Sequence, residues 1–270
     1  MRRIGLGIVG LLLAAGACRT LGTAPPLPVR HSIVRDQLVI HNDFGLTPQH
    51  RLIEELAAQR ADVAELLQLP LTEEPIHVFL FNSAEAFQAF IDRHHPNLPQ
   101  RRAFFVETDT RLAVYAHWGD RVAEDLRHEV AHGYLHAALQ NLPLWLDEGL
   151  AEYFEVPRGH RGLNRPHVAH LQIQIDQHGW QPNLRRLESL QSAGDMTQLD
   201  YAESWAWIHM LLETTVERRT LLHNYLQTLR RDATAPPMSV AIRALPFEPD
   251  RALLEYIQSL PGNPSDAFSP

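Results

Sequence analysis

The spacing of apolar residues predicts that strands and helices alternate in the first half of the chain. Residues 31–40 form a run rich in β-branched side chains, and residues 76–81 form a short apolar run typical of a buried strand. Residues 47–69 and 83–94 repeat apolar side chains every three to four positions, as amphipathic helices do, with Thr47 and Ser83 as N-caps. This half therefore predicts a small sheet packed against helices.

A predicted hairpin precedes a second half in which helical periodicity dominates. Residues 103–106 and 112–115 have strand character and are joined through Thr108-Asp109-Thr110. The helices that we expect after it lie at about 121–139, 144–155, 166–178, 184–190, 200–214, 217–230 and 249–259. We therefore expect an α+β fold: a small N-terminal sheet with helices, a central helix pair, then a mostly helical C-terminal lobe.

Net charge and cysteine content narrow the class of protein. The formal net charge is −8 and the isoelectric point is near 6.0, which argues against nucleic acid as a partner. Cys18 is the only cysteine, so no disulfide can stabilise the domain. The roughly 250 residues after Cys18 suffice for one compact domain or for two small lobes that share a cleft.

The first 18 residues have the organisation of a signal peptide. Arg2 and Arg3 precede an apolar stretch at 4–17 that is too short to span a bilayer comfortably, and small residues lead to Cys18. This end resembles a bacterial lipobox, and the resemblance implies that Cys18 is lipidated and becomes the mature N-terminus. Cleavage nearby without lipidation and a retained membrane anchor are the alternatives. Residues 19–30 are expected to be a proline-rich tether, 31–260 the domain and 261–270 a disordered tail.

The strongest chemical signal is His128-Glu129-Val130-Ala131-His132, inside the helix expected at 121–139. Residues four apart lie on one face of a helix, so both imidazoles can bind one ion while Glu129 projects beside them. In this H-E-x-x-H arrangement two neutral histidines hold Zn²⁺, and the glutamate acts as general base. The same letters also arise by chance in a histidine-rich chain. The amphipathic helix around them favours the metal-binding interpretation.

A catalytic zinc ion needs a third protein ligand and one open position. Pro143 breaks the chain before a second helix, which contains the segment Trp-Leu-Asp-Glu-Gly-Leu-Ala-Glu-Tyr-Phe-Glu at residues 145–155. Two antiparallel helices with a short connection would bring Glu148 back towards the histidines. Glu148 is therefore the best candidate for the third ligand.

Together the two segments resemble the gluzincin metallopeptidases, in particular peptidase-MA-like domains and the aminopeptidase N family, whose third-ligand segment reads W-L-N-E-G-F-A-x-Y. The likeness in motifs covers residues 100–215. It implies that Glu148, rather than Asp147 or Glu152, is the ligand, because Glu148 directly precedes Gly149. It also implies a zincin-like fold with one Zn²⁺ per chain. Folds of this kind place an edge strand before the zinc helix, with which an extended substrate can pair.

A further segment, Y-A-E-S-W-A-W-I-H-M-L from Tyr201 onward, is similar to Y-x-K-G-A-x-x-x-x-M-L of the aminopeptidase N family. The resemblance implies that Tyr201 donates its hydroxyl hydrogen to the oxyanion of the tetrahedral intermediate, a charge that the metal would otherwise stabilise alone. The match is partial, because Glu203 stands in place of lysine and Ser204 in place of glycine. The alternative is that Tyr201 begins an amphipathic helix and only packs.

Other polar residues of the helix pair have weaker assignments. Glu152 lies one turn after Glu148, and we expect it to accept the free N–H of a ligand histidine, with a solvated glutamate as the alternative. His136 extends the histidine row by another turn and is interpreted as a bystander, with a supporting contact to the ligands as the alternative. Asp147 and Glu155 are interpreted as surface charges of the helix.

These motifs predict a zinc metallopeptidase that acts on a peptide or protein substrate. The aminopeptidase N family binds the free amine of its substrate with a G-x-M-E-N segment. The corresponding hairpin here has no such sequence and offers only Glu107 as a weak substitute, so exopeptidase action is not expected. A zinc hydrolase of a non-peptide amide is one alternative. Another is a non-catalytic zinc-binding lipoprotein that serves as a binding or assembly module, in which Glu129 would have no role.

The expected location is the bacterial cell envelope. Arg19, not an aspartate, follows Cys18. By resemblance to sorting in enterobacteria, this residue implies a lipid anchor in the outer membrane with the domain facing the periplasm. A secreted soluble protein is the alternative.

Overall fold

The computed structural model describes residues 26–261. Five strands belong to one sheet: β1 (His31–Arg35), β2 (Leu38–Asn42), β3 (Ile76–Phe81), β4 (Ala103–Thr108) and β5 (Arg111–His117). The α-helices are α1 (Arg51–Leu67), α2 (Ala84–His94), α3 (Val122–Ala138), α4 (Leu144–Phe154), α5 (Arg165–His178), α6 (Leu184–Ser189), α7 (Gln198–Glu213), α8 (Val216–Asp232), α9 (Met238–Ala241) and α10 (Pro249–Ser259). Two short 3₁₀ helices lie at Ala193–Asp195 and Ile242–Ala244.

The sheet has the strand order β1-β2-β3-β5-β4 and combines parallel with antiparallel pairs. The central β3 is parallel to both β2 and β5, whereas β1 and β4 pair antiparallel at the two edges. β4 and β5 form a hairpin in which Phe105 stands opposite Val114. β4 is therefore an edge strand, and the chain passes from β5 directly into α3.

Helices cover both faces of the sheet. On one face, Ile76, Val78 and Val114 belong to the main core, which also includes buried residues of α1 and α3. On the other face, Phe79 and Tyr115 belong to a smaller aromatic core against α2. Successive side chains of a strand point to opposite faces, so these short strands can supply both cores. α3 packs against the sheet and also contacts α4.

α7 is the central helix of the helical part. Its residues from 200 to 212 are all buried, as expected for a helix that has neighbours on every side. It packs extensively on α4 at Gly149, where an added Cβ would lie 2.6 Å from the carbonyl oxygen of Ser204. Glycine is required there because backbone meets backbone at this crossing.

The predicted α+β class is confirmed, and the seven helices expected after the hairpin agree with the structure to within two residues at each end. Two predictions in the first half were wrong in detail. Residues 31–40 are not one strand, because the chain turns at Asp36 (φ 50°) between β1 and β2. The first long helix does not begin after Thr47. Residues 47–50 form a turn instead, and the helix begins at Arg51 with a cap from His50.

Candidate metal centre

His128 and His132 lie one turn apart on α3, and α4 returns antiparallel to it after the short connection at 139–143. His132 Nδ1 is 2.8 Å from Oδ1 of Asp147, near the start of α4. His128 Nδ1 is 3.2 Å from Oε2 of Glu155, directly after the end of α4. His132 therefore faces the start of α4, and His128 faces its end. Glu148 lies between these two contacts.

Three ligand atoms converge between the two helices. The Nε2 atoms of His128 and His132 are 3.2 Å apart, and Glu148 Oε2 lies 3.5 Å from the first and 3.7 Å from the second. Neighbouring ligands of a tetrahedral zinc ion with bonds of about 2.0–2.1 Å are separated by about 3.3–3.4 Å. Glu148 Oε2 is buried and has no hydrogen-bond partner within residues 26–261, although buried polar atoms are normally satisfied. These three residues form a group that could hold a metal ion.

Carboxylates fix the orientation of both imidazoles. Asp147 and Glu155 accept from the Nδ1–H groups of His132 and His128, so each Nε2 points into the centre and is the atom that can bind a metal ion. Such partners raise the basicity of a ligand histidine and hold its ring in place. The interpretation of Asp147 and Glu155 as surface charges was therefore wrong. It treated α4 in isolation, whereas α3 covers these side chains in the folded protein.

The hydrogen-bonded chain extends beyond His132 to the edge strand. Asp147 Oδ2 lies 2.9 Å from Nε2 of His136, and Nδ1 of His136 lies 2.6 Å from Oε2 of Glu107 on β4. Burial lowers the pKa of His136, but the carboxylates of Asp147 and Glu107 outweigh that effect and raise it. His136 is consequently not a bystander, because it ties α3 to both α4 and β4.

Glu152 lies on the other side of the centre, in a second part of the same network. Its Oε2 is 2.7 Å from Nε2 of His167, on α5, and Asn164 donates to Glu155 at 2.8 Å. Among the residues that the structure describes, no hydrogen bond joins Glu152 to either ligand histidine. Glu155 makes the bond to His128 that we expected of Glu152, because it lies almost another turn further along the chain, where His128 faces the end of α4.

The electrostatics of the centre reflect this concentration of carboxylates. Burial lowers the pKa of His132, but Asp147 and Glu148 outweigh it and raise the pKa to about 10. Burial likewise opposes the effect of Glu148 and Glu155 on His128, whose pKa lies well above the usual range. Glu148 has its pKa lowered to about 2, because the two imidazoles outweigh the effect of burial. The centre thus attracts positive charge, and a metal ion would displace the protons from the Nε2 atoms.

Glu129 is held beside the ligands by the edge strand. Its Oε2 accepts the backbone N–H of Phe105 on β4 at 2.6 Å. Burial raises the pKa of Glu129, while the neighbouring histidines act in the opposite direction. A carboxylate with a raised pKa is better matched to general-base work near neutral pH than an ordinary surface glutamate.

Tyr201 lies on α7, and charges of the centre act on it. It is the fourth residue of the helix, whose start is fixed by a capping box between Thr197 and Asp200. The Tyr201 hydroxyl accepts a hydrogen bond of 2.6 Å from Arg101. Burial raises the pKa of Tyr201, and the nearby charge of Glu148 adds to that effect. The charge of Glu148, the candidate ligand, therefore acts to raise the pKa of both Tyr201 and Arg101.

Two further groups of metal-ligating side chains share residues with this centre. One consists of His132, His136 and Asp147, the other of His128, Glu152 and Glu155. In the first group, His132 and His136 are hydrogen-bonded to Asp147 at 2.8 and 2.9 Å. In the second, His128 is hydrogen-bonded to Glu155 at 3.2 Å. These hydrogen bonds account for the short distances without a metal ion. We therefore regard both groups as the surroundings of one centre.

The structure brings together His128, His132 and Glu148, and these charged side chains act electrostatically on Glu129 and Tyr201. Arg101 was missed, since it lies in a segment without periodicity and matches no motif. Cys18 lies outside the described residues. Between residues 26 and 261, no helix is sufficiently long and apolar to traverse a bilayer.

Comparison of the chain with models of known protein families finds no match. Comparison with curated proteins also finds none.

Proposed function

We propose that this protein is a zinc-dependent metallopeptidase of the gluzincin type, with a zincin-like fold. The observation that carries the proposal is the convergence of His128 Nε2, His132 Nε2 and Glu148 Oε2, with the carboxylate of Glu129 next to them. A purely structural metal site has no need of a fourth, basic group. The buried Glu129 therefore favours catalysis over the alternative of a non-catalytic binding module.

The donor set favours zinc over other common cations. Mg²⁺ and Ca²⁺ prefer sites made of oxygen ligands, whereas two imidazoles and one carboxylate suit Zn²⁺. Three protein ligands are also the number found in catalytic zinc sites, which keep a further position open. When bound, Zn²⁺ would lower the pKa of a water molecule and polarise the carbonyl group of a substrate.

Side chains of this protein would carry out proton transfer, stabilise the oxyanion and orient the metal ligands. Glu129 would accept a proton from the attacking water and pass it to the leaving amine. Tyr201 would donate its hydroxyl hydrogen to the oxyanion that develops on the carbonyl oxygen. Asp147 and Glu155 would hold the ligand imidazoles in the orientation already described.

The edge strand supports a peptide as the substrate. In the described sheet β4 pairs only with β5, so no other strand covers its outer edge. Phe105 on this strand contacts Glu129, so a chain that paired with β4 would pass beside the candidate base.

The decisive variant is Glu129→Gln, which keeps the size of the side chain but removes the base. We expect the folded protein and its zinc content to survive, while cleavage of a peptide library falls by at least ~10²-fold. Glu124→Gln on the same helix is the matched control, because Glu124 pairs with Arg121 on the surface. Metal-depleted protein is the second control. Equal cleavage by Glu129→Gln and the control variant would exclude the mechanism.

We also propose that the protein is anchored to the bacterial cell envelope through lipidated Cys18, on the periplasmic face of the outer membrane. The lipobox-like residues before Cys18 support this. Cys18→Ser should leave an unprocessed or soluble form. Mass spectrometry that finds an unmodified mature N-terminus beyond residue 18 would instead indicate a secreted protein.

A further inference from the structure

Arg101 forms a contact at the centre that no motif assigns. It lies before β4, two residues from the strand that holds Glu129, yet its guanidinium reaches across to α7. One of its nitrogens donates to the hydroxyl of Tyr201 at 2.6 Å, over a separation of 100 residues. The guanidinium also lies 5.6 Å from the centre of the Tyr201 ring. This contact links the segment before β4 to the helical part, and the charge of Glu148 acts on both of its residues.

The chemistry of a phenol makes the contact informative. A tyrosine hydroxyl can accept hydrogen bonds and has one hydrogen to donate. Arginine has only donors, so Arg101 occupies an acceptor position of the oxygen and leaves the hydrogen free. The other contact of the hydroxyl is a donated bond to the carbonyl of Ala193 at 3.4 Å, beyond the normal range for O–H···O. The hydrogen is therefore weakly held and can be redirected.

The neighbouring charges indicate where the hydrogen can go. The carboxylates of Glu148 and Glu129 both act on Arg101, so its cation lies close to the candidate ligand and the candidate base. With the guanidinium on one side of the hydroxyl oxygen, the hydrogen is left to point away from Arg101. A charge-assisted bond of this kind also fixes the ring more firmly than a neutral bond would.

We propose that Arg101 is a positioning residue, which orients the Tyr201 hydroxyl so that its hydrogen is available to an oxyanion at the metal centre. The inference rests on the proposed function, in which Tyr201 is the oxyanion donor. Arg101 acts through Tyr201 and does not itself contact the substrate. Its loss should therefore matter only while the Tyr201 hydroxyl is present.

A double-mutant cycle with Arg101→Met and Tyr201→Phe tests this relation. The ligand is a blocked phosphinic pseudopeptide, whose tetrahedral anion imitates the charged intermediate, bound to zinc-loaded protein in a calorimeter. We expect each single variant to weaken binding about tenfold, and the double variant to bind within about twofold of either one. Arg101→Lys should restore part of the affinity, because lysine keeps a charged donor.

Arg102→Met is the matched control. Arg102 is the next residue in the chain, but its guanidinium binds Asp125 on α3, one turn before Glu129, and makes no hydrogen bond to Tyr201. This variant should bind the phosphinate as the wild type does. If Arg101→Met weakens binding equally in the presence and absence of the Tyr201 hydroxyl, Arg101 contacts the ligand directly and the proposal is wrong.

A second measurement does not depend on catalysis or on zinc. In metal-depleted protein, we expect Arg101→Met to lower the unfolding temperature by about 2–5 °C, and to lower it much less in a Tyr201→Phe background. Additive losses would overturn the contact whatever the protein does with a substrate. Non-additive losses in a protein that binds no phosphinate would support the contact and reject the proposed function.

Discussion

Gly149 offers the sharpest test of how α4 and α7 are packed. In Gly149→Ala, the new Cβ would lie 2.6 Å from the carbonyl oxygen of Ser204 and 2.8 Å from Cγ1 of Ile208. Carbon and carbonyl oxygen approach to about 3.3 Å in favourable contacts, so the helices must separate by roughly 0.7 Å. The atom in the way belongs to the backbone, so no change of rotamer can relieve the clash.

The free energy of unfolding should fall. Overpacking a core costs about 1–3 kcal/mol, and a rigid backbone contact belongs at the upper end of that range. Alanine is better than glycine inside a helix by about 1 kcal/mol, which offsets part of the loss. A net loss of about 2 kcal/mol corresponds to a fall of about 4–8 °C in the unfolding temperature for a domain of this size.

Gly133→Ala is the matched control. Gly133 is also a buried helical glycine, but its Cβ would meet the side chain of Ile76, at 2.9 Å, rather than backbone. The gain in helix propensity is the same, so we expect a smaller fall in the unfolding temperature. Thermal unfolding and elemental analysis of both variants measure stability and metal content. The ligands lie on α3 and α4, so zinc should be retained. A Gly149→Ala protein as stable as the wild type would refute the close approach of the two helices.

Three other perturbations have defined outcomes. Replacing Asp147 or Glu155 by alanine should weaken zinc affinity about 10–100-fold without abolishing binding, as measured by competition with a chelator; unchanged affinity would show that these carboxylates do not orient the ligands. Removing the metal should lower the free energy of unfolding by about 4 kcal/mol if free zinc had been present at 1,000 times its dissociation constant, and the unfolding temperature should fall accordingly. Burial lowers the pKa of His209 to about 4, below the value of about 6.5 expected in the unfolded chain. The unfolded chain therefore binds a proton that the folded protein does not, and the free energy of unfolding should fall as the pH falls from about 6.5 to 4. The loss approaches about 3 kcal/mol, and urea unfolding of His209→Gln should show a flatter pH dependence in that window.

Strong periodic patterns made most of the fold predictable. The helices from α3 to α8 bury one stripe or all of their surface, so the sequence shows each of their ends to within two residues. The turn at Asp36 was missed because neither glycine nor proline marks it, although aspartate tolerates the left-handed backbone found there. The short helix α9 has too few residues for a periodic signal.

The candidate ligands were predictable for a different reason. His128 and His132 are related by the geometry of a single helix, and Glu148 follows in the next one. The hydrogen-bond partners of these ligands depend on how the two helices pack against each other. Because His128 faces the end of α4, it contacts Glu155 and not Glu152. Arg101 depends on a contact between distant parts of the chain, and a single sequence contains no local signal for such a contact.

The candidate ligands and their carboxylate partners all lie between residues 128 and 155, within one helical hairpin, whereas Arg101 and Tyr201 are 100 positions apart. Local contacts form early in folding, because closing a short loop costs little entropy, and distant contacts form late. Zinc could therefore bind to the hairpin while the rest of the protein is still unfolded. Stopped-flow refolding should then show uptake of zinc before the phosphinate site appears, and simultaneous phases would contradict this order. During folding the protein would pass through a state that holds its metal before Arg101 and Tyr201 have come together.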